Sequence, residues 1–281
     1  MRIDAHQHFW IYDAREYEWI DESIASLRRN FLPDDLQPEL RRSDFHGCVA
    51  VQARQSLEET HWLLELAKRA DFILGVVGWV DLRAPDLSAQ LKTLAKNPKL
   101  VGVRHIVQSE ADDRFLSQPD FLRGISLLEE FNLAYDILIY PKHLSVAAEF
   151  VGRFPRQRFV LDHLAKPFIK HAIVQPWEAE IRELAKFPNV YCKLSGLVTE
   201  ADWQAWTPDQ LAPYLDVAFD CFGPGRVMFG SDWPVCTVAG SYSRVFQGIE
   251  NYARRFPVEV QEAVLGRNAA AFYGLSVGAQ Q

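Results

Sequence analysis

The stretch RIDAHQHFW, residues 2–10, decides how the rest of the sequence is interpreted. A short apolar alternation leads directly into His6 and His8. Side chains alternate in direction along a β-strand, so both histidines project to the same side. Two imidazoles at a strand end can hold one metal ion, although an isolated His-x-His motif is more often a hydrogen-bonded pair. The role of the pair therefore depends on where this strand lies in the fold.

Short apolar runs rich in β-branched residues recur along the chain and predict eight strands. They lie at residues 2–6, 47–52, 72–80, 100–107, 133–140, 158–163, 189–195 and 226–232. Helical patterns separate them; one begins with Thr207 as N-cap and Pro208 in the first turn. Strands and helices that alternate in this way predict an α/β protein, a single-domain (β/α)8 TIM barrel over residues 1–275. A short polar tail follows at 276–281.

An open doubly wound sheet is the alternative architecture, but a glycine-rich phosphate turn normally follows its first strand. Here the first strand continues into HQHFW, which favours the barrel. Catalytic residues of such barrels gather at the C-terminal ends of the strands, where His6 and His8 are placed. Barrel closure makes the first and eighth strands neighbours, so Asp232 in FGSDWP can approach both histidines.

Composition narrows the class of partner. The formal net charge is −7, which argues against the clustered basic residues that a nucleic acid requires. The longest apolar run, residues 72–80, is much shorter than a membrane span, and the N-terminus does not resemble a signal peptide. We therefore expect a cytoplasmic protein that acts on a small molecule, away from membranes and nucleic acids.

Six motifs together resemble the amidohydrolase superfamily. They are IDAHQHFW (3–10), VGVRHIVQ (101–108), LDHLAKP (161–167), YCKLSGL (191–197), FGSDWPV (229–235) and GRNAAAFYGL (266–275). More narrowly, they resemble its lactonase-type subgroup, which includes enzymes for L-fuconolactone, L-rhamnonolactone and a pyrone dicarboxylate lactone. The resemblance covers nearly the whole chain. It implies hydrolysis at an electrophilic carbon inside a (β/α)8 barrel.

The resemblance also bears on metal content. Metal-rich members usually have a lysine or glutamate at strand four and a histidine at strand five, whereas these strands offer Arg104, His105 and Asp136 here. We therefore expect at most one divalent ion, with zinc as the first choice. Some members of the subgroup act without a metal, so the resemblance leaves open whether the ion is required or dispensable. The candidate ligands are His6, His8 and Asp232, with His163 as a further ligand or a substrate contact.

Hydrolysis of a lactone needs an activated water, a stabilised carbonyl oxygen and a proton for the ring alkoxide. We predict that Asp232 accepts the proton of the water and later helps return it to the leaving oxygen. His6, His8 and His163, or a metal that they hold, would polarise the carbonyl or orient the water. These four residues form the predicted catalytic set.

Polar and aromatic residues at the other strand ends are the predicted substrate contacts. Strand parity lets only one of Arg104 and His105 point squarely inward unless the strand bends, so both remain candidates. Arginine can bind substrate oxygens, lysine and glutamine can form hydrogen bonds with hydroxyl groups, and indole rings can stack on sugar faces. The alternative roles are ion pairs at the barrel rim for the lysines and packing in the core for the aromatic residues. The other candidates are Gln52, Lys166, Lys193, Trp10 and Trp233.

Sugar (aldono-)lactone hydrolysis is the favoured function, and two others are kept beside it. A metal-dependent decarboxylase, or a pyrone-type lactonase, of the same superfamily would use similar strand-end residues. A noncatalytic ligand-binding barrel would have no need to retain the whole catalytic set. Release of acid from aldonolactones, compared with release of carbon dioxide, separates the first two. The lactone's stereochemistry and ring size depend on loops, and these and the oligomeric state are not specified by the sequence.

Overall fold

The structure is a computed structural model that describes residues 1–276, so residues 277–281 of the predicted polar tail lie outside the described residues. In the described part, eight parallel strands form one sheet in sequential order. The strands are β1 (Ile3–Gln7), β2 (Gly47–Val51), β3 (Ile73–Gly78), β4 (Leu100–Ile106), β5 (Ala134–Leu138), β6 (Phe159–Leu161), β7 (Val190–Leu194) and β8 (Val227–Phe229). Each coincides with a predicted run, and the predicted (β/α)8 barrel is confirmed.

One α-helix follows each strand. These helices are α1 (Pro33–Arg42), α2 (Leu57–Arg69), α3 (Leu87–Leu94), α4 (Pro119–Leu128), α5 (Leu144–Gly152), α6 (Trp177–Ala185), α7 (Pro208–Phe222) and α8 (Tyr242–Ala253). The predicted start of α7 is correct, with Thr207 at the N-cap and its amide donating to the side chain of Gln210. No helix within residues 1–276 combines the length and the apolar character that crossing a membrane demands.

The barrel closes between β1 and the residues that follow β8. The backbone amide of His8 donates to the carbonyl of Trp233 at 2.7 Å, and the amide of Asp232 donates to the carbonyl of His6 at 2.8 Å. These bonds join opposite ends of the chain and align their strand ends. Closure therefore brings Asp232 to the two histidines, as the sequence predicts.

The C-terminal helices close the opposite end of the barrel. After α8 come α9 (Val258–Glu262), a π-helical turn and α10 (Asn268–Tyr273). Phe272 and Tyr273 pack with the apolar side chains that point into the barrel, such as those of Ile3 and Val101. Burial of a side chain of this size contributes roughly 1.5–3 kcal/mol. The barrel interior thus has an apolar floor, and its buried polar side chains lie above it.

Candidate active site

A pocket opens at the C-terminal ends of the strands, where a (β/α)8 barrel carries its chemistry. Its wall combines charged and polar groups with apolar ones. Its lining includes His8, Arg104, Gln108, His163, Lys166 and Asp232, together with Trp19, Ile106, Leu138 and Val235. Three of the four predicted catalytic residues therefore line one pocket, and His6 lies directly against them.

The side chains of His6, His8 and Asp232 meet at one point. The two histidine Nε2 atoms are 3.2 Å apart. Asp232 Oδ1 lies 3.3 Å from His8 Nε2 and 3.8 Å from His6 Nε2. Tetrahedral zinc with bonds of about 2.0–2.1 Å separates its ligand atoms by roughly 3.3 Å. The three atoms are thus spaced to share one ion.

A backbone carbonyl fixes the ring of His8. Its Nδ1 lies 2.8 Å from the carbonyl oxygen of Val51, which can only accept a hydrogen bond. Nδ1 therefore carries a proton, and Nε2 is the ring nitrogen that faces His6 and Asp232 and would bind a metal ion. Histidines that bind metals commonly donate their second ring nitrogen in this way. The donor set fits a single zinc ion.

His163 approaches the trio from the end of β6. Four successive residues from His163 to Lys166 have left-handed backbone angles, and both of these side chains line the pocket. Gly196 makes room for the ring, since a Cβ there would lie 2.5 Å from His163 Nδ1. That nitrogen is 2.8 Å from Ser195 Oγ, and Nε2 is 4.0 Å from Asp232 Oδ1. Burial lowers the pKa of His163 to about 4, so the ring is neutral near pH 7.

Asp232 is ionised although it is buried. Burial alone would raise the pKa of its carboxyl group. The neighbouring rings of His163, His8 and His6 outweigh burial and hold this pKa below its ordinary value. Asp232 is therefore a carboxylate, which is the form needed both to accept a proton and to bind a cation.

A network of buried charges lies beneath the histidines. Arg104 donates to Asp162 Oδ2 and to Gln52 Oε1, both at 3.0 Å. Lys193 Nζ lies 2.5 Å from Asp136 Oδ2 and 3.1 Å from Asp162 Oδ1. All five side chains are buried, so two cations are balanced by two carboxylates. Gln52, predicted to bind a sugar hydroxyl, instead holds Arg104. Asp162, which directly precedes His163 in the chain, is a site residue that was not among those predicted.

The sequence model of a protein family described as amidohydrolase matches residues 3–275 of the chain. The chain belongs to the amidohydrolase family. The resemblance carried by the six motifs is confirmed.

Individual relatives cover nearly the full length of this amidohydrolase. A protein of Burkholderia multivorans named L-fucono-1,5-lactonase is 43% identical, over 98% of this chain and 96% of its own. A protein of the same name from Burkholderia ambifaria is 41% identical, over 97% and 95%. A crystal structure of a Burkholderia multivorans amidohydrolase with bound zinc has a TM-score of 0.95 at 42% identity, covering 98% of this chain and 100% of that one. The likeness therefore extends well beyond the barrel architecture.

In this amidohydrolase, the side chains of Arg104 and His105 lie on opposite faces of β4. Arg104 points into the barrel and lines the pocket. His105 points to the outer layer, where it stacks on Phe115 with 4.7 Å between ring centroids and contacts Glu110 at 2.6 Å. The strand pairs with β5 residue by residue, so successive side chains take opposite faces. His105 is thus corrected from a substrate contact to a packing residue outside the pocket.

Three other predicted substrate contacts also lie outside the pocket wall. Trp10 is fully buried and packs edge-on against Phe31 at 5.2 Å, and Trp233 packs on the same ring at 5.3 Å. Lys193 is fully buried beneath His6. The predictions that Trp10 and Trp233 stack on the sugar and that Lys193 bonds a hydroxyl group are therefore corrected, because all three residues pack in the interior. The aromatic residue that does line the pocket is Trp19, from the loop after β1, and the strand pattern carried no signal for it.

A buried carboxylate ties together two loops of the pocket. Glu59 in α2 accepts hydrogen bonds from the amides of Ala53 and Arg54, both at 3.0 Å, and from the Tyr17 hydroxyl at 3.2 Å. Ala53 lines the pocket, and Tyr17 belongs to the loop that carries Trp19. Burial raises the pKa of Glu59 to about 7.

Because this pKa is raised on folding, the unfolded chain loses the Glu59 proton first, so the stability that the protonated group contributes falls as pH rises from the unfolded pKa to about 7 and is constant above it. We expect Glu59→Gln to gain stability relative to the parent protein between about pH 5 and about pH 8, by up to about 3 kcal/mol. Urea titrations at both pH values measure this shift. Glu58→Gln, on the exposed face of the same helix, is the control. A pH-independent difference between Glu59→Gln and the parent would contradict the prediction.

Proposed function

We propose that this amidohydrolase is a sugar lactonase that opens L-fucono-1,5-lactone, or a closely related aldonolactone, to the free acid. The observation that carries the proposal is that His6, His8 and Asp232 meet at the pocket. They do so in a chain that is more than 40% identical to two proteins named for that reaction. The predicted lactonase class agrees with both names.

Asp232 is the proposed general base. It is an ionised carboxylate in the pocket wall, so it can accept a proton from a water molecule as the water oxygen attacks the lactone carbonyl carbon. The bond between the carbonyl carbon and the ring oxygen then breaks. Asp232 returns the proton to that ring oxygen, which becomes the hydroxyl group of the open acid.

Arg104 is proposed to stabilise the negative charge that develops on the carbonyl oxygen of the lactone. Its guanidinium group lines the pocket and is held rigidly by Asp162 and Gln52. A preorganised cation in a buried site stabilises such a charge much more than it would in water. His163, which is neutral, and Lys166 are the proposed contacts for hydroxyl groups of the sugar.

We infer that His6, His8 and Asp232 hold one zinc ion. Their spacing, the hydrogen bond from His8 to Val51, and bound zinc in the homologous Burkholderia structure support this inference. When bound, the ion would supply Lewis-acid polarisation of the substrate carbonyl. The chelator experiment below decides whether turnover requires the ion.

The decisive experiment is a pH-indicator assay across a stereochemical panel of aldonolactones, with and without chelator and with zinc restored afterwards. We expect hydrolysis of L-fucono-1,5-lactone at least as fast as that of any other member. A parallel assay for carbon dioxide release from dihydroxybenzoates tests the decarboxylase alternative. Release of carbon dioxide without lactone hydrolysis would overturn the proposal. Binding of lactones without turnover would overturn it in favour of a noncatalytic barrel.

Removal of one ligand should weaken zinc binding strongly. Four-ligand zinc sites bind with about 10–16 kcal/mol of free energy in total, so one ligand accounts for a few kcal/mol. We therefore expect His8→Gln to lower zinc affinity on the order of 100-fold. Competition with a chromogenic chelator measures the affinity. His61→Gln, in the outer helix α2, is the control and should bind zinc like the parent protein. Equal zinc affinity in His8→Gln would exclude His8 as a ligand.

A further inference from the structure

The part of the pocket wall that belongs to β4 and β5 is apolar. Ile106 is the last residue of β4, Leu138 is the last residue of β5, and both side chains line the pocket. The two residues are register partners in the parallel sheet, so they lie side by side and form one β4–β5 patch. Neither side chain can form a hydrogen bond with a sugar hydroxyl group. The patch therefore indicates a substrate group that is itself apolar.

The β4–β5 patch lies directly above the buried charges of the same two strands. Side chains two residues apart on a strand share a face, so Ile106 stands above Arg104 and Leu138 above Asp136. The Cα atoms of such neighbours are about 6.6 Å apart, because a parallel strand rises about 3.3 Å per residue. Arg104 is the proposed contact of the lactone carbonyl oxygen. A substituent close to the carbonyl carbon therefore comes within reach of the patch.

The opposite side of the pocket is polar. In the sequential order of the eight strands, the ends of β8 and β1 lie across the barrel from those of β4 and β5. Asp232 and His8 line the pocket there, and His163 and Lys166 line it after β6. The hydroxyl groups of a bound sugar thus have polar neighbours on one side, while the β4–β5 patch faces them from the other.

L-fucono-1,5-lactone has one apolar substituent. Its carbon 5 carries a methyl group, whereas the otherwise identical L-galactono-1,5-lactone carries a hydroxymethyl group at that position. The methyl carbon is joined to the carbonyl carbon through carbon 5 and the ring oxygen, so it lies close to the bond that breaks. When the carbonyl oxygen contacts Arg104, this methyl group can pack on Ile106 and Leu138.

We propose that Ile106 and Leu138 bind the methyl group of the lactone and select 6-deoxy aldonolactones over their hydroxymethyl counterparts. This inference rests on the proposed lactonase function and names the substrate class within it. A hydroxyl group at the patch would be buried without a partner, and a missing methyl group would leave the patch uncovered. An apolar subsite discriminates against either change by about 10- to 100-fold.

The test compares kcat/KM for three lactones of the same stereochemistry, which carry methyl, hydroxymethyl or hydrogen at carbon 5. They are L-fucono-, L-galactono- and D-arabinono-1,5-lactone. We expect the parent protein to prefer the first by about 10- to 100-fold over each of the others. Ile106→Thr and Leu138→Asn place a polar group of similar size in the patch, and each should lower the preference over the galactonolactone by about tenfold. This preference is a ratio within one preparation, so it does not depend on the fraction of active enzyme.

Two control variants locate the effect. Ile173→Thr makes a similar change at an exposed residue outside the pocket and should retain the activity and the preference of the parent protein. Val235→Thr makes a nearly isosteric change in the pocket wall after β8. It should retain the preference, whatever its rate, because the methyl group is assigned to the other side of the pocket.

Equal kcat/KM for the fuconolactone and the galactonolactone in the parent protein overturns the proposal and favours Gln108, in the same pocket, as partner of a 6-hydroxyl group. An unchanged preference in Ile106→Thr and Leu138→Asn, or a changed one in Val235→Thr, overturns the assignment of the patch. If no lactone is hydrolysed, the proposed function fails, and calorimetric binding of the acids L-fuconate and L-galactonate still tests the patch. Tighter binding of L-fuconate supports it, whereas equal or absent binding overturns it.

Discussion

Replacing Asp232 with asparagine is expected to lower kcat by about 10³- to 10⁴-fold and to leave the fold intact. Asparagine has nearly the same shape but cannot accept the proton of an attacking water. The loss should therefore appear in kcat more than in KM. Steady-state kinetics on the lactone that the panel identifies, together with thermal unfolding of both proteins, measures the effect.

Asp216→Asn is the matched control, because Asp216 also accepts hydrogen bonds but does so from Tyr252 and Arg255 in the outer layer. It should turn over like the parent protein. Zinc content of both variants is measured in parallel, which separates loss of the base from loss of a ligand. Wild-type-like kcat in Asp232→Asn would refute the assignment of Asp232.

Replacing Arg104 with methionine should reduce both stability and activity. Methionine fills similar space but leaves the buried carboxylates of Asp162 and Asp136 with Lys193 as their remaining cation. Breaking a buried ion pair by removing one partner typically costs about 3–5 kcal/mol. Loss of a preorganised donor to the carbonyl oxygen should also lower kcat by about 10²- to 10³-fold. Urea titration and steady-state kinetics measure the two effects separately.

Two variants sharpen this experiment. Arg104→Lys retains a positive charge but not the fork that contacts Asp162 and Gln52 together, so it should recover part of the stability and little of the activity. Arg83→Met removes an exposed ion pair with Asp120 and should cost less than about 1 kcal/mol. A folded Arg104→Met protein with the stability of the parent would contradict the importance of the network.

The local sequence determined the barrel and the meeting of its main proposed catalytic residues. Alternation of apolar residues marks each strand, and helix start signals such as Thr207 mark the segments between them. Once eight such units close on themselves, the ends of β1 and β8 must be neighbours. The convergence of His6, His8 and Asp232 is therefore predictable without coordinates, because it follows from topology and from two-residue strand periodicity.

Only the tertiary structure decided which side chains face the pocket and how deep each one lies. Arg104 and His105 differ by one residue and face opposite sides, and the absolute phase of β4 depends on its register with its neighbours. Lys193 lies deep in the barrel, where its ammonium group contacts Asp136, and the hydroxyl group of Tyr273 donates to the same carboxylate. Both partners are distant from Lys193 in sequence. The position of Trp19 depends on a loop. Sequence periodicity specifies alternation, whereas direction and depth arise from packing among elements that are far apart in the chain.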